Sequence, residues 1–131
     1  MTNAGFEVIV HQPERIIEVR YPPRPTETNF RAYDAAIRKA IDAMGGAWQC
    51  LVDQTALNAL APEFTERIAE LNGWARAKGM KSTARVVSES AVGQLQGARI
   101  LRNSGLQDSG AIFTSRSEAW AFLNRALKPP R

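Results

Sequence analysis

Cysteine and histidine are almost absent from this sequence of 131 residues, which contains only Cys50 and His11. A single cysteine excludes an intramolecular disulfide, and one residue of each type excludes a Cys/His metal site built by one chain. A chain without disulfides is typical of a reducing compartment, so we expect a cytoplasmic protein.

Long apolar runs are absent as well. No run approaches the roughly 18 residues that a membrane-spanning helix requires. Residues 1–5 lack the basic and apolar regions of a leader sequence. The sequence therefore predicts neither a membrane span nor a targeting segment.

Common enzyme motifs are also missing. No serine stands in a Gly-x-Ser-x-Gly motif, and Gly93 and Gly97 lack the preceding strand and the Lys-Ser/Thr pair of a phosphate-binding loop. The apolar neighbours of Cys50 predict an inert buried thiol, and His11, near a loop proline, is expected to be a solvated turn residue. We therefore expect a non-enzymatic protein without a cofactor or a metal.

Basic charge is concentrated in the second half of the chain. Residues 1–73 hold 7 Lys and Arg against 10 Asp and Glu, whereas residues 74–131 hold 10 against 3. The basic residues are dispersed and no aromatic side chains interleave with them, which argues against nucleic-acid binding. We expect a solvated basic face, and an acidic protein partner or an anionic surface stays open. The face includes Arg76, Lys78, Lys81, Arg85, Arg99 and Arg102.

A repeated pattern indicates the fold class. Three times an amphipathic segment runs into a glycine and the chain restarts as a short β-branched strand: Gly45 precedes residues 48–53, Gly79 precedes 83–88 and Gly105 precedes 111–114. Glycine ends helices in a left-handed conformation at no steric cost, and parallel strands need helical crossovers. The pattern therefore predicts an α/β domain.

The remaining elements follow from periodicity and capping residues. Residues 6–10 and 16–21 predict an N-terminal hairpin, Thr26 or Thr28 can cap the first helix, and a third helix is expected over residues 90–104. Ser115 and Glu118 have capping-box spacing and open a last helix that reaches Leu127. Helical spacing predicts two buried stripes: Phe30, Tyr33, Ile37, Ile41 and Met44 in the first helix, and Phe64, Ile68, Leu71 and Ala75 in a second that begins at Pro62.

The predicted order is β-β-α-β-α-β-α-β-α in one domain over residues 1–131, with a frayed tail at 128–131. This order gives a mixed, mostly parallel sheet of about five strands covered by about four helices. Leu51 and Val52 are expected to be buried in the central strand, and Trp48, Trp74 and Trp120 in the core or at its rim.

Candidate site residues follow from the rule that sites form outside the carboxyl ends of strands. The strand ends carry Asp53, Thr55, Ser88 and Ser90, and Glu63 begins the second helix. The alternative for Asp53 is that it caps the following turn. Gly93 and Gly97 lie four residues apart on one helix face and permit close approach of a partner, a ligand or the protein's own sheet.

Residues 48–127 resemble the STAS-like SpoIIAA family, which has the fold of bacterial anti-sigma factor antagonists. The resemblance rests on four features: an apolar strand that ends in Asp53 with Thr55 two residues later, a helix that begins with Pro62-Glu63, a strand over residues 84–88, and a terminal segment over 112–123. It implies a regulatory module that binds a protein partner or a second copy of the chain.

The chain departs from that family at one functional position. The regulated antagonists carry Asp-Ser-Ser-Gly at the start of the helix, with a phosphorylated serine, whereas residues 61–64 here read Ala-Pro-Glu-Phe. The resemblance is therefore to the divergent SpoIIAA-like proteins, without a phosphoacceptor serine. The same broad fold class is similar to lipid-carrying Sec14-type domains, which implies a second hypothesis, a carrier or sensor of a small apolar ligand.

Overall fold

A computed structural model describes residues 5–57, 61–88 and 110–126. Its elements are β1 (Glu7–His11), β2 (Ile16–Arg20), α1 (Glu27–Met44), β3 (Trp48–Asp53), α2 (Pro62–Ala77), β4 (Met80–Val86), β5 (Gly110–Phe113) and α3 (Arg116–Ala126). The strands form one sheet in the order β1-β2-β3-β4-β5, with β1 antiparallel to β2 and the other neighbours parallel. This confirms the predicted sheet. The helix predicted over residues 90–104 and the tail at 128–131 lie outside the described residues.

The start and the buried stripe of α1 follow directly from the sequence. The Thr26 hydroxyl accepts a hydrogen bond from the Asn29 backbone N–H at 3.1 Å, and the Asn29 side chain accepts one from the Thr26 N–H at 3.2 Å, so Thr26 is the cap. The helix ends at Gly45, whose φ is 62°. The five residues of the predicted stripe are all buried.

β3 is the centre of the sheet. Residues 48–52 are buried, and Leu51 lies between Glu18 of β2 and Ala84 of β4 in the strand register. Helices cover both faces, because Cys50 and Val52 share a core with α1 and α2, whereas Leu51 shares one with α3. The central position predicted for residues 48–53 is therefore observed.

β4 begins three residues earlier than the sequence pattern predicts. Gly79 makes the reversal between α2 and β4 by itself, with a φ of 109°, and its carbonyl accepts a hydrogen bond from the Trp48 N–H at 3.1 Å. A Cβ atom at this position would collide with the Gly46 carbonyl. Since one glycine completes the turn, Met80 already lies in the sheet and is buried.

Two predictions of solvent exposure are wrong. Arg85 has no exposed surface, because its position in β4 directs it into the core under α1 and α2 rather than onto a basic face. His11 is the last residue of β1, its side chain is 26% exposed, and it contacts Glu18 across the β1–β2 pair. In both cases a strand covered by helices places a polar side chain inside.

The tryptophans occupy the predicted environments: Trp48 is fully buried, and Trp74 and Trp120 are half-buried. No helix among the described residues has the length and apolar character needed to cross a membrane.

Candidate functional site

The carboxyl ends of the parallel strands meet at one edge of the sheet, as predicted. Arg20 pairs with Asp53, Asp53 with Val86, and Val86 with Phe113, so the four strands end in line. Backbone bonds continue the ladder past the strand ends, from the Gln54 N–H to the Val86 carbonyl at 2.9 Å and from the Val87 N–H to the Phe113 carbonyl at 2.8 Å. The loops that follow the strands therefore share this carboxyl edge.

The side chain of Asp53 organises the loop after β3. Its Oδ1 accepts hydrogen bonds from the Thr55 backbone N–H at 3.0 Å and from the Thr55 hydroxyl at 2.6 Å. This is the local arrangement that the turn-capping interpretation predicts. Asp53 thus holds the loop, and Thr55 presents an exposed side chain at the edge.

α2 begins at the same edge without a hydroxyl-bearing cap. Ala61 is the N-cap and makes no side-chain cap bond, and Pro62 occupies the first turn. Pro62 and Glu63 are exposed, and the Glu63 carboxylate stands in the first turn, where the helix dipole favours negative charge. We call the exposed residues that flank this connection, Thr55, Ala56, Pro62 and Glu63, the edge surface.

The described structure contains four of the predicted site residues. Asp53, Thr55 and Glu63 border the β3–α2 connection, and Ser88 is half-buried just after β4. Ser90, Gly93 and Gly97 lie outside the described residues, so their place in a partner face stays a prediction.

A buried charge cluster between the sheet and α3 was not predicted. Glu18 lies in the middle of β2 with no exposed surface. Arg116 donates two hydrogen bonds to it, from Nη2 to Oε1 at 2.8 Å and from Nε to Oε2 at 3.0 Å. His11 Nε2 lies 2.9 Å from Oε1, and Arg20 Nε donates to Oε2 at 3.3 Å. The sequence contained one sign of this cluster, a glutamate inside the apolar run of residues 16–20. A charged residue that is buried in a strand needs partners of opposite charge.

The cluster attaches α3 to the sheet. Burial by itself raises the pKa of the Glu18 carboxyl, but hydrogen bonds from Arg116 and His11 and the charges of Arg116 and Arg20 outweigh it and lower the pKa to about 2. The Trp120 ring of α3 meets His11 edge-on, with centroids 5.0 Å apart, and the Arg116 guanidinium lies 5.1 Å from its centroid. The Glu18 carboxylate, which these cations keep ionised in the neutral range, anchors α3 to the sheet.

Cys50 is buried in β3, as the sequence predicts. Burial raises the pKa of its thiol to about 11, although the Arg85 charge and a hydrogen bond with Thr83 act in the opposite direction. The thiol is therefore protonated at neutral pH and is a poor nucleophile.

Two cavities of the described structure are lined by residues other than those of the edge surface. One of about 640 Å³ is at the opposite, amino edge of the sheet, where Arg15 donates hydrogen bonds to the carbonyls of Met44 at 3.1 Å and Ala47 at 2.7 Å, and to that of Gly45. These bonds satisfy carbonyls at the end of α1, which is a structural role. The other cavity, of about 350 Å³, lies between β1 and α1. It is lined by Gly5, Phe6, Val8, Thr28, Asn29, Ala32, Tyr33 and Ala36.

No protein-family model and no curated protein matches the chain. Among solved structures, it is similar to an anti-sigma-factor antagonist (STAS) domain protein from Planctomyces limnophilus, with a TM-score of 0.57 and 17% sequence identity. The match covers 92% of this chain and 98% of that chain. At this identity the likeness concerns the fold, and at that level it confirms the resemblance seen in residues 48–127.

Proposed function

Since this chain has a STAS-like fold, we propose that it is a non-enzymatic bacterial regulatory module that binds another protein through the edge surface. The observation that carries this proposal is the exposure of both described ends of the β3–α2 connection: Asp53 fixes the turn in which Thr55 is exposed, and Glu63 is exposed at the start of α2. The turn at residues 53–55 is already held by these hydrogen bonds, so it loses little entropy when a partner binds.

Three polar groups of the strands β2 and β3 support binding rather than catalysis. Asp53 is engaged in the turn, Glu18 is held ionised by Arg116, and the Cys50 thiol is protonated. No pair of these groups has the geometry of a nucleophile with its base.

The partner face can be tested by placing positive charge on it. In pull-downs with quantitative mass spectrometry from lysate of the native host, we expect Ala56→Arg and Glu63→Arg to reduce the recovery of a specific protein by about tenfold or more, since a misplaced charge in an interface costs several kcal/mol. Both positions are exposed, so the thermal midpoint should stay near that of the wild type.

Glu14→Arg is the matched control, because Glu14 is exposed at the opposite edge of the sheet. It should retain the partner fully. Equal loss in all three variants, or no loss in any, contradicts the edge surface as the interface. If the binding protein is a second copy of this chain, sedimentation equilibrium should show a dimer that the same two variants dissociate.

We propose further that the module works without phosphorylation at the antagonist position, the start of α2. Ala61 and Pro62 have no hydroxyl, and the Thr55 hydroxyl is donated to Asp53 at 2.6 Å. A phosphoryl group on Thr55 would place about two negative charges against that carboxylate. After incubation with host lysate and ATP, phosphosite mapping should find Thr55 unmodified. Stoichiometric phosphorylation of Thr55 would contradict this proposal and indicate a phosphorylation switch.

The second candidate function is a carrier or sensor of a small apolar ligand. The cavity between β1 and α1 favours it, because Phe6, Val8 and Tyr33 supply an apolar wall. Native mass spectrometry of the protein purified from its own host distinguishes the two functions, since a carrier retains a small molecule of defined mass and an interaction module does not.

A further inference from the structure

Arg85 is the buried charge for which the described structure offers no counter-charge. Its side chain has no exposed surface, and no acidic side chain of the described residues forms an ion pair with it. Transfer of an unpaired guanidinium into an apolar interior is costly, whereas Glu18, the other charged residue without exposed surface in the described part of the chain, is surrounded by cations. Arg85 therefore differs from Glu18 in having no partner of opposite charge among the described residues.

The polar atoms of Arg85 and Gln54 that lack a hydrogen-bond partner are all donors. Arg85 Nη1 donates to Gln54 Oε1 at 3.2 Å, but Arg85 Nε, Arg85 Nη2 and Gln54 Nε2 are buried and have no hydrogen-bond partner. Arginine has donors only, and the amide oxygen of Gln54 is already used. Two adjacent side chains therefore share a surplus of donors that only an acceptor can satisfy.

The neighbouring groups do not supply a negative charge. Tyr21, Tyr33 and Cys50 are within electrostatic reach of Arg85, and the Tyr21 hydroxyl is also within hydrogen-bonding reach of the guanidinium. A neutral hydroxyl can accept one hydrogen bond from Arg85 but brings no negative charge. Burial raises the pKa of each of the three groups, with a smaller opposite effect from Arg85, and that of the thiol reaches about 11. All three groups are neutral at physiological pH, so the local charge is positive.

Another buried amide shows that this pattern is specific. Gln49 also has an unpartnered Oε1 and Nε2, but these are one acceptor and one donor on a neutral group. The neutral Gln49 amide therefore does not favour an anion over a neutral group. Only Arg85 and Gln54, among the described residues, combine positive charge with a pure surplus of donors.

We propose that Arg85 and Gln54 form an internal binding site for a small oxyanion, a carboxylate or a phosphate group, under the loop that follows β3. The guanidinium presents Nε and Nη2, the fork that matches two oxygens of such a group, and Gln54 Nε2 adds a third donor. Gln54 is the first residue after β3, so the bound anion also fixes the loop that carries Thr55.

The surroundings leave two sources for the oxyanion, a free ion or the head group of an apolar molecule. Tyr21 and Tyr33 belong to a cluster of rings with Phe6, in which Phe6 and Tyr33 are stacked at 4.4 Å. Phe6 and Tyr33 also line the cavity between β1 and α1. An apolar tail attached to the anion would find its contacts on this side.

The test is a titration of the full chain, followed by the Nε–Hε NMR resonance of Arg85 and by the thermal midpoint. The probes are sodium phosphate and sodium decanoate, with sodium chloride at equal ionic strength as the reference. We expect at least one probe to shift the Arg85 resonance and to raise the midpoint in a saturable manner. Saturation by phosphate indicates a free ion, and saturation by decanoate alone indicates a head group with an apolar tail.

Variants connect the effect to the site. Loss of charged hydrogen bonds in Arg85→Met should weaken probe binding by about ten- to a hundredfold. Arg85→Lys, which keeps the charge but not the fork, should weaken it less and also assigns the resonance. Arg31→Met is the control, because the Arg31 side chain is 77% exposed, and it should bind like the wild type.

If neither probe shifts the Arg85 resonance, or if Arg85→Met binds as tightly as Arg31→Met, the site does not exist and water or the chain itself supplies the acceptor. The wild-type resonance gives this answer even if Arg85→Met fails to fold. The result does not depend on the protein partner, because every measurement uses the isolated chain.

Discussion

Replacement of Leu51 by Ala is expected to lower the free energy of unfolding by about 2 to 5 kcal/mol, the range for truncation of a fully buried leucine. Leu51 has no exposed surface, and it lies in the central strand of the sheet in contact with the core that α3 covers. The loss combines the transfer of the removed methyl groups with the cavity that remains. Urea denaturation with a constant m value measures it.

The control is Val10→Ala, which truncates an aliphatic residue of the edge strand β1 that is 39% exposed. This substitution should lower the free energy of unfolding by less than about 1 kcal/mol, because the Val10 side chain is already partly in contact with water in the folded protein. If Leu51→Ala costs no more than Val10→Ala, the central position of β3 is wrong.

Glu18→Gln is expected to cost about 2 to 3 kcal/mol at neutral pH. The amide keeps the shape of the carboxylate but loses the two charged hydrogen bonds to Arg116 and the attraction to Arg20. The value is below that of a completely buried ion pair, because both arginines are more than two-fifths exposed and water screens part of the interaction.

The same carboxyl group predicts a pH dependence. The pKa of Glu18 is about 2 in the folded protein, below the value of 4.5 for an unperturbed glutamate. Stabilisation by Glu18 is therefore complete above about pH 4.5 and is lost as the pH falls toward 2. The difference in unfolding free energy between wild type and Glu18→Gln should shrink over this window.

Glu27 is the matched control for that experiment. It also accepts hydrogen bonds from two arginines, Arg31 at 2.9 Å and Arg67 at 2.7 Å, but its side chain is half exposed. Glu27→Gln should cause a much smaller change. An equal effect of the two variants would show that burial of Glu18 has no energetic importance.

The elements of the fold were largely predictable because their signals are local. The stripe from Phe30 to Met44 and the cap at Thr26 depend on contacts within a few residues along the chain. The apolar run at residues 48–53 has one stable environment, a strand covered on both faces, and it was found there. The start of β4 was missed because the reversal at Gly79 depends on the approach of the Gly46 carbonyl, which no local pattern reveals.

The place of Asp53 at the carboxyl edge was predictable, but its contacts were not. The rule that parallel strands end at one edge placed Asp53 beside the neighbouring strand ends, and the register shows this. The rule does not state which side chains are exposed there. That information came from the turn at Asp53 and from the exposure of Thr55 and Glu63.

The sequence by itself determined the α/β class, the mostly parallel sheet and the buried helix stripes, because periodicity and glycine positions act over a few residues. Only the tertiary structure determined whether the charged residues inside strands are buried and which partners they contact. Glu18 is neutralised by Arg116, 98 residues away in the chain, and Arg85 reaches the core between helices where it meets Gln54. The cost of a buried charge depends on the partners that the fold brings to it, and sequence spacing carries no information about that distance.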